Sequence, residues 1–298
     1  MKRVELSPGI FHLQGGSNVG LVVRDGKGLL IDAGLDKDAA RRILRIAGEM
    51  DVILEAVFIT HAHADHFGGA HAIRRRAGVP VYAPALEAAI VENPIVEPLY
   101  LFGGAAPIRE LRHKFTLAQP CHVAHVVTEP GPLEIGSFRV EVVPLPGHAP
   151  NQTGVAVGDV LFCADAAFPA ETLQKHKITF CVNLDETLAT LERLPDLPYA
   201  CFAPGHGPAY AAGVEIEQTC VANQKRLEEV REQIYAVLEE PQETPALVQQ
   251  VGGYFGLRLE TATAYFLTRT TILAALSSLE QAGEVAAVME ENRLLWQR

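Results

Sequence analysis

Thr60-His61-Ala62-His63-Ala64-Asp65-His66, running on from the apolar Val57-Phe58-Ile59, is the stretch on which the reading of this chain turns. It places three imidazoles and a carboxylate where a buried strand gives way to a loop. That much polarity is costly beside a core unless a metal ion satisfies it. His61 and His63 can point the same way, while Asp65 and His66, past the strand end, can swing round to a second position. One motif therefore offers ligands for two ions. The loop continues into Gly68-Gly69 and the start of a helix, which sets it apart from a surface loop that is merely rich in histidine.

On the N-terminal side lie short apolar strands, Ile10 to Leu13, Val19 to Val23 and Leu29 to Asp32, with Gly15-Gly16 and Asp25-Gly26 as turn signals. They form a meander feeding a sheet. Asp32 ends its strand just before Ala33-Gly34, and two roles stay open for it: support of a site, or capping of the helix that follows. Residues 37 to 48 read as an amphipathic helix with Ala40, Ile43, Leu44 and Ala47 on one face.

Downstream, the pattern predicts a helix over 67 to 77, a strand at Val79 to Ala83 and a short helix from Leu86 to Val91. An irregular insertion follows at about 92 to 126, punctuated by proline and glycine, as a lid or a subunit contact. Its histidines, His113, His122 and His125, lack ligand spacing and read as structural or surface groups. Strands return with Phe138 to Val143 and with a hairpin about Gly158-Asp159; a helix spans 185 to 194, and Ala200 to Ala203 is a strand. His148, Asp165 and His206 each follow an apolar run at a strand end, two of them beside glycine. One such residue is unremarkable; three in the same setting point to ligands.

Beyond about Val214 come three helices, Glu215 to Leu238, Thr244 to Gly253 and Thr261 to Ala282, and then a hairpin within Glu284 to Gln297. That order is a winged-helix pattern. The segment holds seven Lys and Arg against thirteen Glu, the wrong sign for a DNA reader, so its role is packing against the first domain or a partner subunit. The expected division is 1–213 as catalytic domain and 214–298 as winged-helix-like domain.

With 298 residues, 48% of them hydrophobic, the chain can build one large domain and one small one. Met1 to Gly9 lacks the apolar core of a signal peptide, and no segment approaches the ~20 apolar residues of a membrane span, so the expectation is a cytoplasmic protein without a membrane partner. The five cysteines are odd in number and far apart, which suggests neither a disulfide framework nor a zinc ribbon. A formal net charge of -11 opposes nucleic acid or anionic membrane as a partner.

His-x-His-x-Asp-His at 61 to 66, then Gly147-His148, Ala164-Asp165 and Gly205-His206, with a strand ending in Asp32-Ala33-Gly34, resemble the metallo-β-lactamase superfamily over about Val4 to Gly213. The resemblance implies an αββα sandwich, two sheets face to face with helices outside and the site along one edge. It implies that His61, His63 and His148 hold one ion, that Asp65, His66 and His206 hold the other, and that Asp165 bridges them. The set looks like the glyoxalase II and RNase Z-like branches, since true β-lactamases usually carry cysteine where Asp165 stands. Ala64 stands where the flavodiiron proteins carry a glutamate ligand. The C-terminal pattern looks like the hydrolase branch that includes single-strand endoribonucleases. No run matches the basic residues with which glyoxalase II holds glutathione.

Two divalent ions can share a water and lower its pKa to about 7, which supplies hydroxide at neutral pH. Asp65 could orient that hydroxide as well as bind metal. Mixed imidazole and carboxylate ligands suit zinc first, then manganese or iron. The reading is a binuclear metal-dependent hydrolase of a small thioester, ester or lactone. Its alternatives are a phosphodiesterase or endoribonuclease of the same superfamily, and a mononuclear iron persulfide dioxygenase. Substrate contacts are expected from loops over the metals: Gln174-Lys175-His176-Lys177, a basic loop whose cations could grip a carboxylate or phosphate or simply face solvent, or Leu99 to Ala106 as an apolar lid or dimer arm. A homo-oligomer is compatible with this composition.

Overall fold

A computed structural model describes all 298 residues. The chain begins with an antiparallel meander: β1 (Lys2–Ser7), β2 (Ile10–Gln14), β3 (Val19–Arg24) and β4 (Lys27–Ile31). Helix α1 (Lys37–Glu49) then crosses to β5 (Ile53–Phe58), which runs parallel to β4. It starts at Asp36, whose carboxylate accepts from the Asp38 and Ala39 amides, so the capping residue is Asp36 and not Asp32. Two short helices, α2 (Ala64–Phe67) and α3 (Ala70–Ala77), lead to β6 (Val81–Pro84). Next come α4 (Ala85–Glu92), α5 (Val96–Leu101) and β7 (His125–Val127). The seven strands make one sheet in chain order.

The second half supplies β8 (Gly131–Ile135), β9 (Phe138–Pro144), β10 (Thr153–Val157) and β11 (Val160–Ala164), then α6 (Ala170–His176), α7 (Leu184–Arg193), β12 (Cys201–Pro204) and β13 (Tyr210–Ala211). These strands form a six-stranded sheet in the order β13-β12-β11-β10-β9-β8. The C-terminal segment holds α8 (Val214–Val237), α9 (Thr244–Tyr254), α10 (Ala262–Gln281) and the hairpin of β14 (Ala286–Glu290) and β15 (Arg293–Gln297).

The sheets meet through Leu29, Ile31 and Phe58 on one side and Phe138, Val155 and Phe162 on the other, all buried. The outer face of the first sheet is covered by α1 and α3 through Ala40, Ile43 and Ile73. On the outer face of the second, Leu161 and Phe202 share one buried cluster with Leu191 of α7, Ile216 and Leu227 of α8, and Ile272 of α10, which stands on α7 and α8. This is an αββα sandwich, and its second helical layer includes the C-terminal segment. β11 and β12 are parallel, and β9 is antiparallel to β10, which is antiparallel to β11. The C-terminal ends of β4, β5, β9, β11 and β12 therefore gather at one edge, the usual place for a site in parallel-strand architecture.

Three local expectations change. The helix predicted over 67 to 77 is broken at Gly68-Gly69, because the Gly69 amide donates to Gly34 O and the Ala33 amide to His66 O, and this close backbone approach leaves no room for a continuous helix. The 92–126 insertion contains α5, and its Glu110 accepts from the Ala262 amide while the Thr263 hydroxyl donates to Glu110 O. It is thus fastened across the start of α10. The basic run at 174 to 177 is not all loop; Gln174 to His176 form the last turn of α6. No helix is long and apolar enough to cross a membrane.

Candidate metal centre

All seven residues singled out in the sequence lie together at the shared strand edge. The donors fall into overlapping groups whose ligand atoms lie within 4.8 Å of one another: His61, His63 and His148; His61, His66 and Asp165; and Asp65, His66 and His206. His148 Nε2 lies 2.9 Å from His63 Nδ1. The Asp165 carboxylate stands between the two ends, 3.5 Å from His148 Nε2, 3.3 Å from His66 Nε2 and 3.4 Å from His206 Nε2. Asp65 completes the second end at 3.3 Å from His206 Nε2.

Several of these atoms are orphans. His61 Nε2 is buried without a hydrogen-bond partner, and His66 Nε2 and Asp165 Oδ1, buried 3.3 Å apart, face each other without the alignment of a hydrogen bond, although each is a strong polar atom that normally finds one. Imidazole nitrogens and carboxylate oxygens that converge in this way suit a divalent cation. The donor set fits the group that the sequence implies.

Without a cation the site is electrostatically frustrated. Burial pushes His63 down to about 3, with His148 adding repulsion, and burial likewise holds His61 well below the usual imidazole range. At the other end the carboxylates prevail. Asp165 raises His206 to about 10. Burial opposes charge on His66, yet Asp165, Asp65 and Asp32 together raise it well above its ordinary value. Burial also opposes charge on Asp65, but His66 and His206 outweigh it and hold the carboxyl down at about 2.

A supporting layer aims the donors. The Asp32 carboxylate takes the Thr60 amide at 2.8 Å and the Thr60 hydroxyl, and it lies 2.8 Å from His66 Nδ1, which turns His66 Nε2 inward. Of the two roles open for Asp32, support of the site is the one observed. Glu87 of α4 accepts from the Ala62 and Asn151 amides and so ties the 61–63 loop to the 148–151 loop. Gln152 Oε1 accepts from the Asp165 amide, and His148 Nδ1 faces Phe180 O. Ser17 donates to Asp65 O, while Asn18 donates to Pro204 O and Gly207 O on either side of His206. Gly205 is forced by the same crowding, since a Cβ there would land on Asp165 Oδ1 and His66 Cε1.

The insertion histidines stay out of the site. His113 pairs with Thr263, His122 with Glu92, and His125 stacks on Tyr82. Beside Asp65 and His206 opens a cleft of about 810 Å³, walled by Phe168, Ile178 and Phe180 and, from the C-terminal segment, by Leu257, Leu259 and Leu267.

Comparison with known proteins matches residues 13–206 to the Metallo-beta-lactamase superfamily. The "Probable metallo-hydrolase YqgX" of Bacillus subtilis (strain 168) is 24% identical over 70% of this chain and 92% of its own length. The hydroxyacylglutathione hydrolase of Shewanella denitrificans is 27% identical over 56% of this chain, and the match spans about half, 53%, of that enzyme. Among solved structures, a metallo-beta-lactamase family protein from Thermus thermophilus superposes with a TM-score of 0.74 at 20% identity, covering 99% of this chain and 100% of that one. That likeness concerns the fold.

Proposed function

The chain belongs to the metallo-beta-lactamase superfamily, and from that membership we propose that it is a metal-dependent hydrolase that binds two divalent cations, zinc first, and cleaves a small thioester, ester or lactone. The observation that carries the proposal is the convergence of His61, His66 and Asp165, whose buried ligand atoms make no well-aligned hydrogen bond, backed by complete groups on either side. The named relatives, a metallo-hydrolase and a hydroxyacylglutathione hydrolase, support hydrolysis, and the second supports a thioester.

His61, His63 and His148 would hold one cation and Asp65, His66 and His206 the other, with Asp165 shared between them. Cations bound there supply Lewis acidity that polarises a carbonyl and makes hydroxide accessible at neutral pH. The chain's own residues do the rest. Asp65, its side chain 30% exposed toward the cleft, is placed to accept a proton or hydrogen bond from the attacking water. Phe168 and Phe180 lie against the His206, His63 and His148 rings and keep bulk water from that side. Asp32 keeps the proton of His66 on Nδ1 so that Nε2 stays free as a donor.

The same proposal takes residues 214–298 as a winged-helix-like unit, supported by the order of three helices and a hairpin, and takes a small molecule as the partner. It is tested by the metal content of protein purified without added metal, with turnover of thioester, lactone and phosphodiester panels by the wild type and Asp165→Ala. Two zinc per chain and thioester or lactone cleavage lost in the variant are expected. Phosphodiester cleavage alone, or a single iron with sulfur-dependent oxygen uptake, would replace this reading.

A further inference from the structure

Between the two sheets, beneath the strand ends that carry the donors, lies a chamber of about 10 Å³. His12, Asp32 and Thr60 line it from the first sheet, and Phe162, Ala164 and Ala203 from the second. Gly20 stands opposite His12 in the β2–β3 register, and a Cβ there would strike the Phe162 ring, so small side chains give the chamber its room and an aromatic ring closes one side. A volume of that size admits one water and nothing larger. Chambers that stay dry are apolar, and this one is not.

The polar atoms on its walls are unevenly satisfied. His12 is 1% exposed, and its Nε2 lies 3.0 Å from Pro204 O. A carbonyl only accepts, so Nε2 carries the proton. Burial lowers the ring to about 4 and keeps it neutral, which leaves Nδ1 as a lone pair. That nitrogen is buried, and no protein group donates to it. Asp32 is also an acceptor with capacity left. Its carboxylate offers about four lone-pair positions, and the protein donors that reach it are the Thr60 amide, the Thr60 hydroxyl and His66 Nδ1. Two acceptors on one small chamber call for a molecule with two protons to give.

We propose that this chamber binds a single ordered water, which donates one hydrogen bond to His12 Nδ1 and the other to the Asp32 carboxylate, and that His12 is through it a positioning residue of the metal centre. The water joins two sets of supporting bonds that no direct side-chain hydrogen bond connects. In one, Asp32 faces His66 Nδ1 and takes the Thr60 hydroxyl, whose oxygen lies 3.1 Å from His61 Nδ1. In the other, His12 and Asn18 share Pro204 O, two residues before His206. The orientation of His61 and His66 is thereby coupled to the end of β12 that presents His206. The water site itself needs neither a metal nor a reaction, so it stands or falls apart from the hydrolase reading.

A high-resolution crystal structure of the metal-free wild type should show one water within about 3.2 Å of both His12 Nδ1 and an Asp32 oxygen. Nitrogen NMR of labelled protein at neutral pH should place the His12 proton on Nε2, with Nδ1 a hydrogen-bonded acceptor. A chamber without solvent density, a water that reaches only one of the two acceptors, or a proton on Nδ1 overturns the proposal. Both measurements use the wild type and are independent of how any variant folds. The positioning role is read from zinc affinity by competition with a metal-binding dye. His12→Leu removes the acceptor and should weaken the equivalent held with His66 about 3–10-fold, the worth of one hydrogen bond. His12→Gln keeps an NH2 for Pro204 O and a carbonyl for the water, and it should restore the wild-type affinity. A merely structural His12 would lower the urea midpoint of the variants and leave zinc affinity alike in all three proteins; that result, or a Gln variant as weak as a folded Leu variant, overturns the positioning role.

Discussion

Replacing Asp32 by asparagine changes one atom in a fully buried place and has a consequence that hydrogen-bond polarity dictates. The carboxylate faces the Thr60 amide at 2.8 Å through Oδ1 and His66 Nδ1 at 2.8 Å through Oδ2. Both neighbours are donors when His66 keeps its proton on Nδ1. An asparagine amide must turn its NH2 toward one of them. Turned to Thr60, it sets donor against donor and leaves a buried amide unsatisfied, at a cost of about 1–3 kcal/mol of stability. Turned to His66, it makes Nδ1 an acceptor and moves the ring proton to Nε2, the atom that lies 3.3 Å from Asp165 and should bind metal. Loss of such a support typically lowers metal affinity about 10–100-fold. Competition between the metal-free protein and a zinc-binding dye should show the second equivalent weakened by that factor in Asp32→Asn, with the first little changed. Urea unfolding of the metal-free form should reveal any stability loss. If both equivalents bind as tightly as in the wild type, Asp32 does not set the His66 tautomer and the account of the supporting layer is wrong.

The metal-free protein should be most stable near pH 6.5. Below it, the unfolded chain protonates His12 and His63 while the folded one, with these rings lowered to about 4 and about 3 by burial, does not. Stability therefore falls with pH through that window, by up to about 1.4 kcal/mol per unit for each ring. Above pH 6.5 the sign reverses, because His206, raised to about 10 by Asp165, keeps a proton that the unfolded chain has lost; that contribution disappears as pH rises through 10. Urea midpoints at pH 5, 6.5 and 9 check both arms, and a flat profile would contradict them. Gly205→Ala puts a methyl where Asp165 and His66 meet; overpacking of about 1–3 kcal/mol and loss of metal stoichiometry are expected, and normal zinc content would refute the crowding argument. Asn18→Ala frees Gly207 O and leaves Pro204 O to His12 alone, and should weaken the ion that Asp65, His66 and His206 would hold about tenfold while sparing the other; equal weakening of both in equilibrium dialysis would count against it.

Much of the site was legible because its candidate donors obey a simple rule: a run of apolar residues, then a polar one where the strand stops. His61, His148, Asp165 and His206 all follow it, and parallel strands bring such ends to one edge. The supporting groups follow no such rule. Glu87 meets its partner amides at positions 62 and 151, and Asn18 meets carbonyls at 204 and 207, so neither carries a local signal. Asp32 has two roles open in the sequence, and only the position of Asp36 at the start of α1 separates them. The seven-residue α6 was invisible for a different reason: it buries only Leu173 and shows no periodicity, so Lys175 looks like part of a loop until the helix points it into the cleft.

The same chain geometry explains how a cleft wall from the C-terminal segment is held beside the donor-bearing strands. Leu161 and Phe202 of the second sheet share one buried cluster with Ile216, Leu227 and Ile272 of the C-terminal helices, α10 joining it through α7 and α8. Each large side chain so buried contributes ~1.5–3 kcal/mol relative to leaving it exposed, so detaching these helices would be costly. A wall attached so firmly holds its distance from the metal-site edge, whereas a free loop would pay ordering entropy each time a ligand entered. Arg258, on the connection between α9 and α10, is thus carried by helices that the core itself requires. The wall that this connection lends to the cleft can then be changed by substitution there without disturbing the strand ends and α2, which carry the seven candidate donors.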